Sequence, residues 1–199
     1  MDNLIINSTA KKQNMNIGLD LDGVIVDHTE NIRRVARELG FDASGKYSSI
    51  HTLKKIMPED LHYDLKKAIY GKMSLKAKPM AYAKNSIEKL SASGHTLSIV
   101  SRRDHDKDYA LSWLKVQGIL EHIPERRIIF VGDDKYKAVE AKRLKSDIFL
   151  DDKIEVLFFV KSVAYPVLFN RFGLDLNEDK YEEVRSWGEF LKLVKNFTL

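Results

Sequence analysis

The sequence Asp20-Leu21-Asp22-Gly23 closes an apolar, strand-like run, Ile17 to Leu21, and so sets two carboxylates one residue apart where a strand should end. The backbone turns out of a sheet at such a point and Gly23 permits an unusual turn, so both acids can reach a crevice at the carboxyl edge. The spacing suits divided labour. Asp20, ionised against a metal, can attack phosphorus, while Asp22, if it keeps a proton, can give it to the leaving oxygen and later take one from water. A second pair, Asp151-Asp152, follows the apolar run Ile148-Phe149-Leu150. Neighbouring parallel strands would carry all four carboxylates to one edge, where they repel one another unless a cation is present. Oxygen-only ligation, with no cysteine in the chain and no adjacent histidine, favours magnesium over zinc.

Ser101 ends the run Leu97 to Val100 and is followed by Arg102 and Arg103. A hydroxyl and backbone N–H groups at a strand end can hold the non-bridging oxygens of a phosphate. Lys137, at the start of a helical stretch after the run Ile128 to Val131, can reach the same crevice and offset phosphate charge. Ser101, Arg102 and Lys137 are the candidate phosphate-holding residues. Lys135 and Lys142 compete with Lys137, which is preferred because Ala138 and a helix leading to the Asp151 run follow it. Each residue alone is commonly a solvated loop group; their order and spacing relative to the aspartates make them informative. The six histidines form no metal-ligand spacing. His28, just beyond the first aspartates, is the one placed to touch substrate.

These residues need a scaffold that brings strand ends together. Apolar runs at Ile17 to Leu21, Thr96 to Val100, Arg127 to Val131, Asp147 to Leu150 and Ala164 to Phe169 alternate with amphipathic stretches. That alternation predicts an α/β fold, a Rossmann-like parallel sheet with helices on both faces. Helical stripes recur at Ser86 to Ser93, Ala110 to Gln117 and Ala138 to Leu144, and Ser186-Trp187-Gly188-Glu189 reads as a capping box before Phe190 and Leu191. Between the first run and Ser86 lie more than fifty residues with no convincing strand. Ile32, Val35, Ala36 and Leu39 form one helical stripe there, and Leu61, Leu65, Ala68 and Ile69 another after Pro58. An insertion of this length reads as a small helical cap, residues 27–80, over a core domain of residues 1–26 and 81–199.

The chain has 199 residues, 44% of them hydrophobic, enough for one compact core. The absence of cysteine excludes disulfides, thiolate ligands and thiol nucleophiles and fits a reducing compartment, so a cytoplasmic location is the default. The first fifteen residues hold a three-residue apolar run, too short for a signal peptide, and no stretch approaches the roughly 18 residues that span a bilayer. The net charge is +4, but 33 basic residues are interspersed with 29 acidic ones, which argues against a dedicated nucleic-acid surface.

Together these elements resemble the haloacid dehalogenase (HAD) superfamily, with strand-DLDGV, strand-Ser101, Lys137 and strand-Asp151-Asp152 in the order of its four motifs over residues 16–157. The resemblance implies Asp20 as nucleophile, Asp22 as general acid/base, and magnesium held by Asp20, the backbone carbonyl of Asp22 and the Asp151-Asp152 pair. The late segment Tyr165 to Asn170 and the sequence Val184-Arg185-Ser186-Trp187 are similar to the narrower 5′(3′)-deoxyribonucleotidase-like group. The expected activity is therefore phosphomonoester hydrolysis with Mg2+ as cofactor, a nucleoside monophosphate being the favoured substrate and Tyr63, Tyr70 and Tyr82 the candidates for stacking on its base. A sugar-phosphate or other small-metabolite phosphatase is the alternative. A polynucleotide-end phosphatase and a non-catalytic binding domain rank below it. The expected partner is a small phosphorylated molecule, not a membrane, and a homo-oligomer is compatible.

Overall fold

The computed structural model describes residues 14–45, 49–103, 106–175 and 181–198, except for the side chain of His51. Most of the N-terminal stretch, and His105, lie outside the described residues. In chain order the strands are β1 (Asn16–Leu19), β2 (Val26–Asp27), β3 (Lys78–Pro79), β4 (Thr96–Arg102), β5 (Ile128–Val131), β6 (Ile148–Asp151), β7 (Tyr165–Phe169) and β8 (Glu182–Val184). The helices are α1 (Thr29–Glu38), α2 (Ile50–Leu53), α3 (Glu59–Tyr70), α4 (Ala83–Ala92), α5 (Lys107–Val116), α6 (Lys135–Arg143), α7 (Ile154–Val160) and α8 (Trp187–Thr198).

Six strands form one parallel sheet in the order β5-β4-β1-β6-β7-β8. The two-residue period of a strand sorts its side chains between two apolar layers. Leu97, Ile99, Ile148 and Leu150 join one layer with α4, α5 and α8 through Ile87, Trp113 and Phe190. Val100, Val131 and Phe149 face the other way, onto Ala141 of α6 and Val156 and Val160 of α7. Helices thus cover both faces, the α/β arrangement the alternating pattern predicts. Gly18 in β1 is required by close approach, because a Cβ there would drive into the Phe149 ring.

The short antiparallel pair β2–β3 stands where the chain leaves the sheet and returns to it. Between these strands Ile32, Val35, Ala36, Ala43, Ile50, Leu53, Met57, Leu65 and Ile69 form an apolar cluster of their own. The helices between β2 and β3 thus share an apolar cluster separate from those on the two faces of the sheet. Among the described residues no helix is long and apolar enough to cross a membrane.

Candidate active site

The central position of β1 decides where the aspartates go. Leu19 is level with Ile99 of β4 and Leu150 of β6, and the Asp20 N–H donates to the Leu150 carbonyl at 2.9 Å, so Asp20 and Asp151 leave the sheet side by side. Gly23 has φ +93, a left-handed conformation open to glycine, and turns the chain back sharply: the Gly23 N–H donates to the Val26 carbonyl at 3.0 Å. Trp187 of α8 braces this turn, its indole N–H donating to the Val24 carbonyl at 2.9 Å. A Cβ at Gly23 would collide with the Asp152 carboxylate. Gly23→Ala should therefore displace the turn or Asp152 and cost roughly 1–3 kcal/mol of stability; a melting curve checks it.

Lys137 is fully buried and its Nζ lies 2.9 Å from Asp20 Oδ1 and 2.7 Å from Asp151 Oδ2. Burial opposes its charge, but the two carboxylates outweigh burial and hold the ammonium protonated far above the usual lysine range. Of the competing lysines, Lys135 is exposed beside Asp133 and Lys142 is exposed. Asp151 and Asp152 both move the other way. Burial pushes the Asp151 carboxyl up to about 7, with Lys137 opposing and the charge of Asp20 adding to the rise. Asp152 is raised well above the usual range by burial and then by the charges of Asp151 and Asp20.

Asp20, Asp151 and Asp152 each offer an oxygen within 4.8 Å of the others. Three buried or half-buried carboxylates at that spacing, with Lys137 the one ammonium touching them among the described residues, could hold a hard divalent cation such as magnesium. Asp151 already uses Oδ2 for Lys137 and Oδ1 for the Lys153 N–H, at 3.0 Å. Asp152 lines the crevice beside Gly23.

Asp22 has a different environment. Its Oδ1 accepts from Arg103 Nη2 at 2.7 Å and lies 2.7 Å from His28 Nε2, while Oδ2 accepts from Arg103 Nε at 3.0 Å. Burial would raise its pKa, yet Arg103 and His28 together hold it well below the usual carboxylate range. The two-pronged pair with Arg103 and the contact with His28 both favour the ionised form of Asp22. His28 is buried, its Nδ1 without a hydrogen-bond partner among the described residues, and its ring meets Tyr70 edge to face with centroids 5.4 Å apart.

Ser101 is buried at the end of β4, level with Phe130 of β5. Arg102 is not brought into this group: its side chain turns outward, 40% exposed, and Nη1 meets Asp134 Oδ2 at 3.2 Å. The arginine in the site is Arg103, 3% exposed. Tyr70 lines the crevice, whereas Tyr63 and Tyr82 are exposed at 58% and 75%. The crevice runs from Asp22 and Asp152 between the inserted helices, at Thr29, Ser49 and Thr52, and the turn after β7, at Asn170 and Arg171. Arg171 pairs there with Asp27 at 2.9 Å.

No protein-family model matches the sequence, and no curated protein does. Solved structures do share the fold. A predicted phosphoglycolate phosphatase from Haemophilus somnus is 17% identical with a TM-score of 0.62, covering 92% of this chain and 99% of its own. A haloacid dehalogenase-like family hydrolase from Streptococcus pneumoniae is 17% identical with a TM-score of 0.63, at 91% and 98% coverage. A putative HAD-hydrolase from Bacillus subtilis bound to magnesium is 12% identical with a TM-score of 0.65, at 92% and 99% coverage. The chain has the fold of the HAD-superfamily hydrolases.

Proposed function

We propose that this chain is a magnesium-dependent phosphomonoester hydrolase that works through an aspartyl-phosphate on Asp20. One observation carries the reading: Lys137 bridges Asp20 and Asp151 inside a cluster of three carboxylates at the carboxyl edge of the sheet. A nucleophilic carboxylate, an ammonium for the phosphate oxygens and a ligand set for a hard cation then share one point, which is what phosphoryl transfer requires. Asp20, Asp152 and the Asp22 backbone carbonyl would hold magnesium, with Asp151 supporting them through Lys137. The bound cation would neutralise charge developing on the phosphate oxygens. Asp20 attacks phosphorus, Ser101 and Lys137 receive the non-bridging oxygens, and Asp22 exchanges a proton first with the leaving alcohol and then with water.

The inserted helices, residues 27–80, act in this reading as a cap that selects the leaving group. The crevice is lined by hydroxyls, an amide and the Asp27–Arg171 pair, which suits a small, hydroxylated or charged phosphate ester. A nucleoside monophosphate is the second reading. It is favoured by Phe172, 37% exposed at the crevice with the Arg171 guanidinium 4.6 Å from its ring centroid, a flat surface for a base. A panel of sugar phosphates, phosphocarboxylates and nucleotides, assayed with and without magnesium, tests both. No phosphate release from any ester would reject the hydrolase reading.

Chelation should abolish activity and magnesium restore it, with calcium a poor substitute because its looser coordination misplaces the attacking oxygen. Because both Asp151 oxygens already serve protein donors, Asp152→Asn should raise the magnesium needed for half-maximal activity by about 10-fold or more, and Asp151→Asn should act mainly on stability. Magnesium titrations and melting curves of the two variants check the assignment; the reverse ranking would make Asp151 the direct ligand.

A further inference from the structure

Arg103 lies two residues beyond Ser101, past the end of β4, and is buried among groups from three parts of the chain. Nε and Nη2 form a two-pronged pair with Asp22 that fixes both the place and the plane of that carboxylate. Nη1 donates to the Tyr70 carbonyl at 3.1 Å, at the last residue of α3, and the guanidinium carbon lies 5.2 Å from the Tyr70 ring centroid. His28, at the start of the insertion, bears on the same carboxylate at 2.7 Å. One guanidinium therefore ties the sheet edge, Asp22 and the insertion together. An ionised carboxylate has about four acceptor positions. Among the described residues three of them are taken, two on Oδ1 and one on Oδ2, which leaves a lone pair on Oδ2.

We propose that Arg103 is a positioning residue that holds the Asp22 carboxylate as the base for hydrolysis of the phosphoenzyme, while His28 and Tyr70 of the insertion are seated against it. The inference rests on the hydrolase reading above. In the first half-reaction an Asp20 oxygen bonds to phosphorus, the bond from phosphorus to the leaving oxygen breaks, and the proton of Asp22 goes to that oxygen. Asp22 is left as a carboxylate able to accept the two-pronged pair. In the second, water attacks phosphorus, the bond to Asp20 breaks and restores its carboxylate, and a water proton passes to Asp22 Oδ2. The two-pronged pair leaves Asp22 oriented to receive that proton, and Arg103 holds the orientation.

The test is rapid-quench kinetics on p-nitrophenyl phosphate with magnesium, a substrate whose leaving group needs no proton, for wild type, Arg103→Lys and Arg103→Ala. Arg103→Lys keeps the charge but cannot form the two-pronged pair. Turnover should fall by about 100-fold in Arg103→Ala and less in Arg103→Lys, with KM not raised. Nitrophenol should appear in a burst approaching one per site, acid-quenched phosphoenzyme should accumulate, and added guanidinium should restore part of the Arg103→Ala rate. A slower rate without accumulation of phosphoenzyme, a rise in KM alone, or unchanged kinetics would each overturn the proposal. Phosphoenzyme that forms in wild type but does not increase in the variants overturns the clamp alone. Its absence from every form of the protein, wild type included, overturns the hydrolase reading and the clamp with it.

Discussion

Asp20→Asn should fold like the parent and turn over phosphate esters at least about 10,000-fold more slowly, because an amide oxygen lacks the charge to attack phosphorus. The fold has reason to tolerate the change. Asp20 is 3% exposed among carboxylates that repel it, and Lys137 keeps its shorter contact, 2.7 Å, to Asp151 when the charge on Asp20 is removed. The melting temperature should therefore hold or rise. The diagnostic measurement is a single-turnover assay with trapping of labelled protein: wild type should carry acid-stable label and the variant none. Phosphate release near the wild-type rate from folded Asp20→Asn protein would remove Asp20 as nucleophile and leave the cluster a metal site of another purpose.

How much of this was legible in the sequence follows from how local each determinant is. Asp20, Asp22, Asp151 and Asp152 were legible because each sits at the end of an apolar run, and parallel neighbours must bring such ends to one edge. Lys137 was legible from its place on a helix between two of those runs. Arg102, the arginine named from the sequence, points away from the group that Arg103 joins, and a signal that separates the two was present. Successive residues of an extended chain point to opposite sides, so the arginine that shares a side with Ser101 is Arg103. The partners of Asp22 were not legible, since the main one is Arg103, 81 residues away in sequence.

The same physics explains the elements that were missed. β8, Glu182-Glu183-Val184, is a polar edge strand with no apolar run to announce it. β2 and β3 are two residues each and exist because the chain must leave and re-enter at one place. α7 reads Ile-Glu-Val-Leu-Phe-Phe-Val, nearly continuous apolar sequence in which a helical stripe cannot be distinguished. Its Phe158 and Phe159 are in fact 54% and 41% exposed. The capping box before α8 formed with one shift: Ser186 Oγ accepts from the Glu189 N–H at 3.2 Å, but the Glu189 carboxylate reaches back to the Arg185 N–H, one residue further out.

Lys137→Met should cost both stability and activity, and the way the two losses respond to pH and to magnesium separates its roles. The substitution keeps the bulk of the buried stem but removes the only cation in contact with Asp20 and Asp151 among the described residues. Breaking a buried ion pair by deleting one partner leaves charge uncompensated and costs about 3–5 kcal/mol. Lys137 stays charged well above the ordinary lysine range because its pKa in the fold is raised, but the stabilisation it supplies through Asp151 also needs that carboxyl ionised and so fades in acid. Asp151 behaves oppositely. A carboxyl raised in the fold keeps its proton there while the unfolded chain ionises, so stability falls as pH rises from the ordinary carboxylate range towards about 7. Without Lys137 that carboxyl rises further and the window extends upward. The variant should thus approach wild-type stability in acid and fall away from it towards neutral and alkaline pH, and magnesium should restore part of the lost melting temperature above neutrality. Activity should not recover with the fold: loss of one oriented cation at the transferring phosphate costs about 100- to 1,000-fold in kcat. Melting curves from acid to alkaline pH, with and without magnesium, set beside kcat at saturating metal, make the comparison. A stability deficit independent of pH would mean that Lys137 acts mainly by packing, and full kcat in the metal-stabilised variant would take it out of the phosphate site.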